Sequence, residues 1–366
     1  MKKTVTALLL LGFIAACKQD PKIGNNSNEP DSLYQSTPYQ GMPTLTNRYR
    51  SITSPSDNPL TAEGVQLGRM LFYDPVLSAD STVSCASCHN PRFSFGDSST
   101  TSKRVFGELT PRNTPPLINL GMNKKFFFDG RQTSIEDATA DALKGEQHFN
   151  YVFSKSKLET QQRYLYLFKK AFGRPGDVTE DKVHKAIAQF LRTLVSYNSK
   201  FDLYMRGEAV LTSSESQGFA IFNDNAKGDC FHCHADGPYL TFANQILFFA
   251  NNALDSVNDL NDFKDKGLGA ISLDANDNGR FKIPTLRNIM LTPPYMHDGR
   301  FATIEDVIGH YSDSLKYSPN VDPLMQQFNQ RGVHINQVEK NQLLDFLKTL
   351  TDTSFINKPE FQDPFK

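Results

Sequence analysis

The sequence predicts a mainly α-helical chain built as two related domains in tandem with long loops. Three observations carry that reading. Four of the five cysteines fall in two copies of one pentapeptide, Cys85-Ala-Ser-Cys88-His89 and Cys230-Phe-His-Cys233-His234. Further segments match at a constant offset of 169 residues. Pro115-Pro-Leu-Ile-Asn119 pairs with Pro284-Thr-Leu-Arg-Asn288, Phe128-Asp-Gly-Arg131 with His297-Asp-Gly-Arg300, and Thr133-Ser-Ile-Glu-Asp137 with Ala302-Thr-Ile-Glu-Asp306. A fixed offset over that span argues for two copies of one structural unit. Apolar residues recur mostly at helical spacing, and strand-like alternation is scarce.

Residues 1–16 read as a targeting segment. Lys2 and Lys3 precede an apolar run from Val5 to Ile14 that is too short to span a bilayer. Ile14-Ala-Ala-Cys17 resembles a lipobox, in which the cysteine becomes the lipidated N-terminus. Residues 17–50, rich in Asn, Ser, Pro and Gln, are expected to form a flexible tether. The expected location is the periplasm or the cell surface, with acyl chains as a lipid anchor to the membrane.

The first domain is expected over 51–206 and the second over 207–366. Each begins with a helix leading to its pentapeptide. Thr61 to Tyr73 carries Val65, Leu67, Leu71 and Phe72 and stops at Asp74-Pro75; a counterpart runs from about Ser213 to Asn223. Each also ends in an amphipathic helix. One follows Thr179 with Val183, Ile187, Phe190, Leu191 and Leu194, and the other follows Asn336 with Val338, Leu343, Leu344, Leu347 and Leu350.

Cys-x-x-Cys-His is the attachment signature for c-type haem: two thioethers hold the porphyrin and the histidine becomes the proximal iron ligand. A redox Cys-x-x-Cys or half of a zinc site would not explain a histidine after both pairs. Two covalently bound haem c groups are therefore expected on Cys85, Cys88 and His89 and on Cys230, Cys233 and His234. Composition sets bounds. Removing residues 1–16 leaves 37 basic against 40 acidic residues, so no basic field exists to hold nucleic acid. Tryptophan is absent, against 28 phenylalanines and 13 tyrosines.

With these motifs, and with Arg112-Asn-Thr-Pro115, Phe281-Lys-Ile-Pro-Thr-Leu-Arg-Asn288 and Leu291-Thr-Pro-Pro-Tyr-Met-His-Asp-Gly299, the chain resembles the bacterial di-haem cytochrome c peroxidase family, which includes the MauG-type protein-oxidising enzymes. The resemblance runs from about Asn58 to Leu350. It implies two cytochrome-c-like haem domains, a peroxide-reacting N-terminal haem and an electron-relay C-terminal haem. It also implies a calcium ion held by the Asn113 side chain and the Thr292 and Pro294 carbonyls, which suits a hard cation. The implied partners are hydrogen peroxide and a small c-type cytochrome or cupredoxin donor, or a protein substrate. A homodimer is compatible with it.

The helix after each Asp-Gly-Arg decides what faces each iron. In the second copy Ile304, Val307, Ile308 and Tyr311 fall on one stripe, which turns Tyr311 inward and His310 toward the polar face. By the resemblance, Tyr311 is the sixth ligand of the His234 haem, as in MauG-type enzymes, where peroxidases often carry methionine. A phenolate would lower the potential. The equivalent position in the first copy is Ala142, behind Ile135 and Ala138, and a methyl group binds no iron. Family peroxidases can close this haem with a histidine sixteen residues past the proximal one; here that residue is Val105. The His89 haem is thus expected to be open.

The resemblance also exposes departures. Phe128 stands where the family has its inter-haem tryptophan, Ala138 where it has a distal glutamine, and His148 where it has the distal glutamate. His148 is the expected proton shuttle or reversible iron cap, with Glu146 as the alternative carboxylate. His184 is expected to be solvated. A non-catalytic di-haem electron carrier, with both irons six-coordinate, is the competing reading.

Overall fold

The computed structural model describes residues 34–173, 175–235, 248–326 and 331–366. The expected targeting segment, Cys17 and the first part of the tether lie outside the described residues. The protein is mainly helical, and among the described residues its only named sheet is a two-strand pair, Phe249–Ala250 against Phe281–Lys282. Among them, no helix is long and apolar enough to cross a membrane.

Each half is organised by one crossed helix pair. Ala62–Tyr73 packs across Glu180–Thr193, and Ser213–Asn223 across Gln337–Lys348. Their starts are written in the sequence. Thr61, Thr179, Thr212 and Asn336 cap the four N-termini through side-chain oxygens, and the last two form capping boxes with Glu215 and Glu339. Glycine sets both crossings: a Cβ on Gly68 would come within 1.8 Å of the Ala186 carbonyl oxygen, and one on Gly218 within 1.9 Å of that of Gln342. No side chain fits either place.

The sequence repeat is also a repeat of backbone geometry. Asn119 and Asn288 are both left-handed, with φ of 55° and 58°, and each starts a single 3-10 turn. Gly130 and Gly299 follow at φ 71° and 66°. The bridges Phe126 to Gln132 and Tyr295 to Phe301 close the two Asp-Gly-Arg turns in the same way. Ser134 and Thr303 then cap the helices Ile135–Glu146 and Ile304–Asp313.

Two apolar cores result, and the chain threads both. Leu194 closes the first, whereas Val195 and Phe201 already belong to the second, ahead of the division expected at 206/207. Phe355 and Phe361 return to the first core from the far end of the chain. Against Tyr49 of the second core lies a fully buried ion pair of Asp202 with Arg287, each side chain 0% exposed, and Tyr49 donates its hydroxyl to Asp202 at 2.5 Å. Breaking such a pair from one side costs about 3–5 kcal/mol because the other charge stays buried.

That contact corrects the tether expectation for residues 34–50. Tyr34 and Tyr49 are buried, Tyr39 packs on the first core, and Thr37 donates through its N–H to Glu63 at 2.7 Å. Spaced tyrosines dock a stretch that average composition marks as too polar to pack.

Candidate haem sites and the residues around them

Each pentapeptide forms one helical turn, Cys85–Cys88 and Phe231–His234, whose residues border a cavity. The cavities measure about 240 and 230 Å³. His89 Nδ1 lies 2.7 Å from the Phe95 carbonyl oxygen and His234 Nδ1 3.1 Å from that of Pro284. A carbonyl only accepts, so each Nδ1 carries the proton and the lone pair sits on Nε2, the tautomer an iron ligand needs. Burial holds the His89 imidazole neutral by pushing it down to about 4.

The thiols are free of disulfides. Burial pushes Cys85, Cys230 and Cys233 up to about 12 and Cys88 up to about 11. A redox dithiol depends on a depressed pKa and a zinc site on thiolates with further ligands. Neither fits, and among the described residues no group of three His, Cys, Asp or Glu side chains is placed to hold a metal ion. Paired neutral thiols and an adjacent histidine on a mostly apolar cavity fit a covalently attached haem in both places.

The cavity beside His89 is lined on the Ile135–Glu146 helix by Ile135, Ala138, Thr139, Ala142, Leu143 and Glu146. Among the described residues, no second histidine, no methionine and no tyrosine borders it. Val105 is wholly buried and does not border it. The cavity beside His234 receives Ile304, Val307 and Tyr311 from the equivalent helix, together with Met296 and His297. Tyr311 accepts a hydrogen bond from Asn252 Nδ2 at 3.3 Å, and the same amide lies 3.4 Å from Met296 Sδ. Burial pushes the Tyr311 phenol up to about 12 against the opposing effect of Asn252.

Of the two distal candidates, Glu146 borders the cavity and His148 does not. Glu146 Oε2 is buried without a hydrogen-bond partner, 3.8 Å from Arg104 Nε, which is likewise buried and unpartnered. Burial raises the carboxyl while Arg104 opposes the rise. The expectation that His148 is the distal group is corrected by where its helix ends. Phe149 N–H returns to the Leu143 carbonyl at 3.1 Å, and His148 is left-handed at φ 47°. Its imidazole is thrown outward, 40% exposed, 3.8 Å from Glu108 and edge-on to Phe106.

Two other histidines depart from expectation. His310 is 3% exposed and its Nε2 lies 3.1 Å from the Asn252 carbonyl oxygen, so this face of the helix is covered. It borders neither cavity. His184 is mostly buried against Phe149 and not solvated.

The expected calcium residues share one cavity. Asn113, Thr292 and Pro294 all border the second cavity, and Asn113 borders both. Asn113 Nδ2 donates to the Ser99 carbonyl at 2.9 Å, which directs its own carbonyl oxygen elsewhere. Phe128 also borders both cavities. The motif residue Arg112, given no separate role in the sequence, joins the halves through two hydrogen bonds to Asp265 at 2.7 Å each and one to Asp129 at 2.5 Å. No local sequence signal points to Asp265.

The chain matches the family described as "Di-haem cytochrome c peroxidase" over residues 62–210. It is 32% identical over 319 residues to the methylamine utilization protein MauG of Methylorubrum extorquens, covering 85% of each chain. The chain belongs to the di-haem cytochrome c peroxidase and MauG family. Cytochrome c551 peroxidase of Nitrosomonas europaea is likewise 32% identical, over 311 residues and 84% of each chain. A solved MauG-like protein associated with microbial copper homeostasis superposes with a TM-score of 0.79 at 32% identity, covering 88% of this chain and 99% of that one. The family is one of haem peroxidases and oxidoreductases, so its di-haem character accounts for both Cys-x-x-Cys-His cavities.

Proposed function

We propose that the protein is a di-haem c-type peroxidase that reduces hydrogen peroxide at the His89 site, with electrons relayed through the His234 site. One observation carries this reading: among the described residues the His89 cavity has no second histidine, no methionine and no tyrosine, while the equivalent helix places Tyr311 in the other. A haem held by Cys85, Cys88 and His89 supplies the iron centre at which peroxide is reduced by two electrons and two protons to two waters.

The surrounding residues have separate tasks. Ala138 and Ala142 leave room for a small oxidant. Glu146 moves the proton, taking it from the incoming peroxide and returning it to the departing oxygen. Arg104, 3.8 Å from Glu146, favours the ionised carboxylate that must act first as base. Phe128 separates the two sites and is much harder to oxidise than tryptophan. Electron transfer between the sites therefore runs directly or through tyrosine. Asn113 with the Thr292 and Pro294 carbonyls would hold calcium at the wall between them.

Tyr311 favours a second reading, peroxide-dependent oxidation of a partner protein's side chains, as the likeness to MauG suggests. A phenolate on the second iron would stabilise its ferric state and work against ordinary shuttling. Stopped-flow mixing with peroxide, followed by a screen of reduced c-type cytochromes, cupredoxins and protein substrates, separates the two. Rapid turnover with a small donor supports the peroxidase, and turnover only with a protein substrate supports the second reading. Peroxide inertness with both haems six-coordinate would leave an electron carrier. Residues 1–16 would deliver the enzyme to the periplasm or cell surface, where lipidated Cys17 would anchor it; labelling with a radioactive fatty acid tests this, and Cys17→Ser should abolish it.

A further inference from the structure

Lys282 stands in the wall that the two cavities share. Its backbone N–H donates to the Phe128 carbonyl at 2.7 Å, tying the Phe281–Lys282 strand to the loop of the other half. Its side chain is partly buried and borders both cavities. Nζ makes one hydrogen bond, to the adjacent Ile283 carbonyl at 3.3 Å, and among the described residues no carboxylate pairs with it. Burial pushes the ammonium down to about 8, with no opposing charge. Arg112 and Arg131, which border the first cavity, are by contrast each held by two carboxylates.

A cation withdrawn from water without a counter-ion is costly. Haem brings two propionate carboxylates that take no part in thioether attachment or iron ligation. We propose that Lys282 is the shared counter-ion of haem propionates in the wall between the two sites, one ammonium serving the facing edges of both groups. The inference rests on the reading that each cavity holds a haem. It gives the position a purpose: a positive charge here stabilises the reduced state of both irons at once.

The test uses the intact holoprotein and the variants Lys282→Gln, Lys282→Met and Lys282→Arg, all of which keep the backbone N–H. Intact mass first counts the haems. A wild-type protein carrying fewer than two overturns the haem reading and this proposal together. With two present, spectroelectrochemistry reads both reduction potentials. Both should fall in Lys282→Gln and in Lys282→Met, and both should stay near wild type in Lys282→Arg. If the glutamine variant does not accumulate, the Met and Arg variants decide. A fall at one haem only, or at neither, overturns the shared assignment while leaving the haem reading intact. Conversion of either haem from low-spin to high-spin on loss of the lysine would make Lys282 an iron ligand instead, and would also overturn it.

Discussion

Ala142 and Tyr311 occupy the same place on two equivalent helices, 169 residues apart, and each borders the cavity of its own half. The starts of the two helices are matched. Ser134 and Thr303 cap them, and Ile135 and Ala138 line one cavity as Ile304 and Val307 line the other. A methyl group and a phenol at one position make two alike domains chemically unlike.

Tyr311→Phe should change the spectrum of the His234 haem alone, giving a high-spin form or a new ligand. Met296, which shares the Asn252 amide with Tyr311 and borders the same cavity, is a replacement at hand. The variant's absorption and electron paramagnetic resonance spectra read this directly. An unchanged second haem would take Tyr311 out of the coordination sphere.

Glu146→Gln should slow the reaction with peroxide by about 10²–10⁴-fold, the usual worth of a positioned acid–base group. His148→Ala should stay close to wild type, since its ring lies outside the cavity. Stopped-flow traces of the two variants compare them. The reverse pattern would return the role to His148.

The pH profile should follow the same carboxyl. Burial raises the Glu146 pKa and Asp141 adds to the rise, while Arg104, Arg131 and His148 oppose it. The base form is present above that pKa, so peroxide reactivity is lost as pH falls through it. Arg104→Leu removes an opposing charge and should move this acid limb to higher pH, and Arg104→Lys should restore most of it. An acid limb that stays in place in Arg104→Leu would separate the pair.

Gly68→Ala and Gly218→Ala should each destabilise their half by about 1–3 kcal/mol or more, as overpacking of a helix crossing does. Backbone carbonyls at 1.8 and 1.9 Å cannot yield as a flexible side chain can. Thermal denaturation measures the loss, and a wild-type melting temperature would contradict the tight crossing.

The sequence carried the helices and their starts, because capping residues and apolar spacing are local signals. It carried the Ala142 and Tyr311 contrast as well, because the repeat supplied an internal ruler. Three things depended on contacts distant in the chain or on backbone angles. The outward turn of His148 follows from a left-handed residue after the helix, which no spacing marks. His310 lies on the polar face of its helix, and the loop residue Asn252, 58 positions away, covers it. Arg112 meets Asp265 across 153 residues, and a charge so far along the chain has no local signature. Residues 34–50 pack against the fold because three tyrosines outweigh the polar average around them.

The central claim is that the two irons differ because Ala142 and Tyr311 differ. Low-temperature electron paramagnetic resonance of the resting ferric protein tests it most directly. The resting protein should give one high-spin signal from the His89 haem and one low-spin signal from the His234 haem, with peroxide abolishing the high-spin signal first. Two low-spin signals, both unaffected by peroxide, would contradict it.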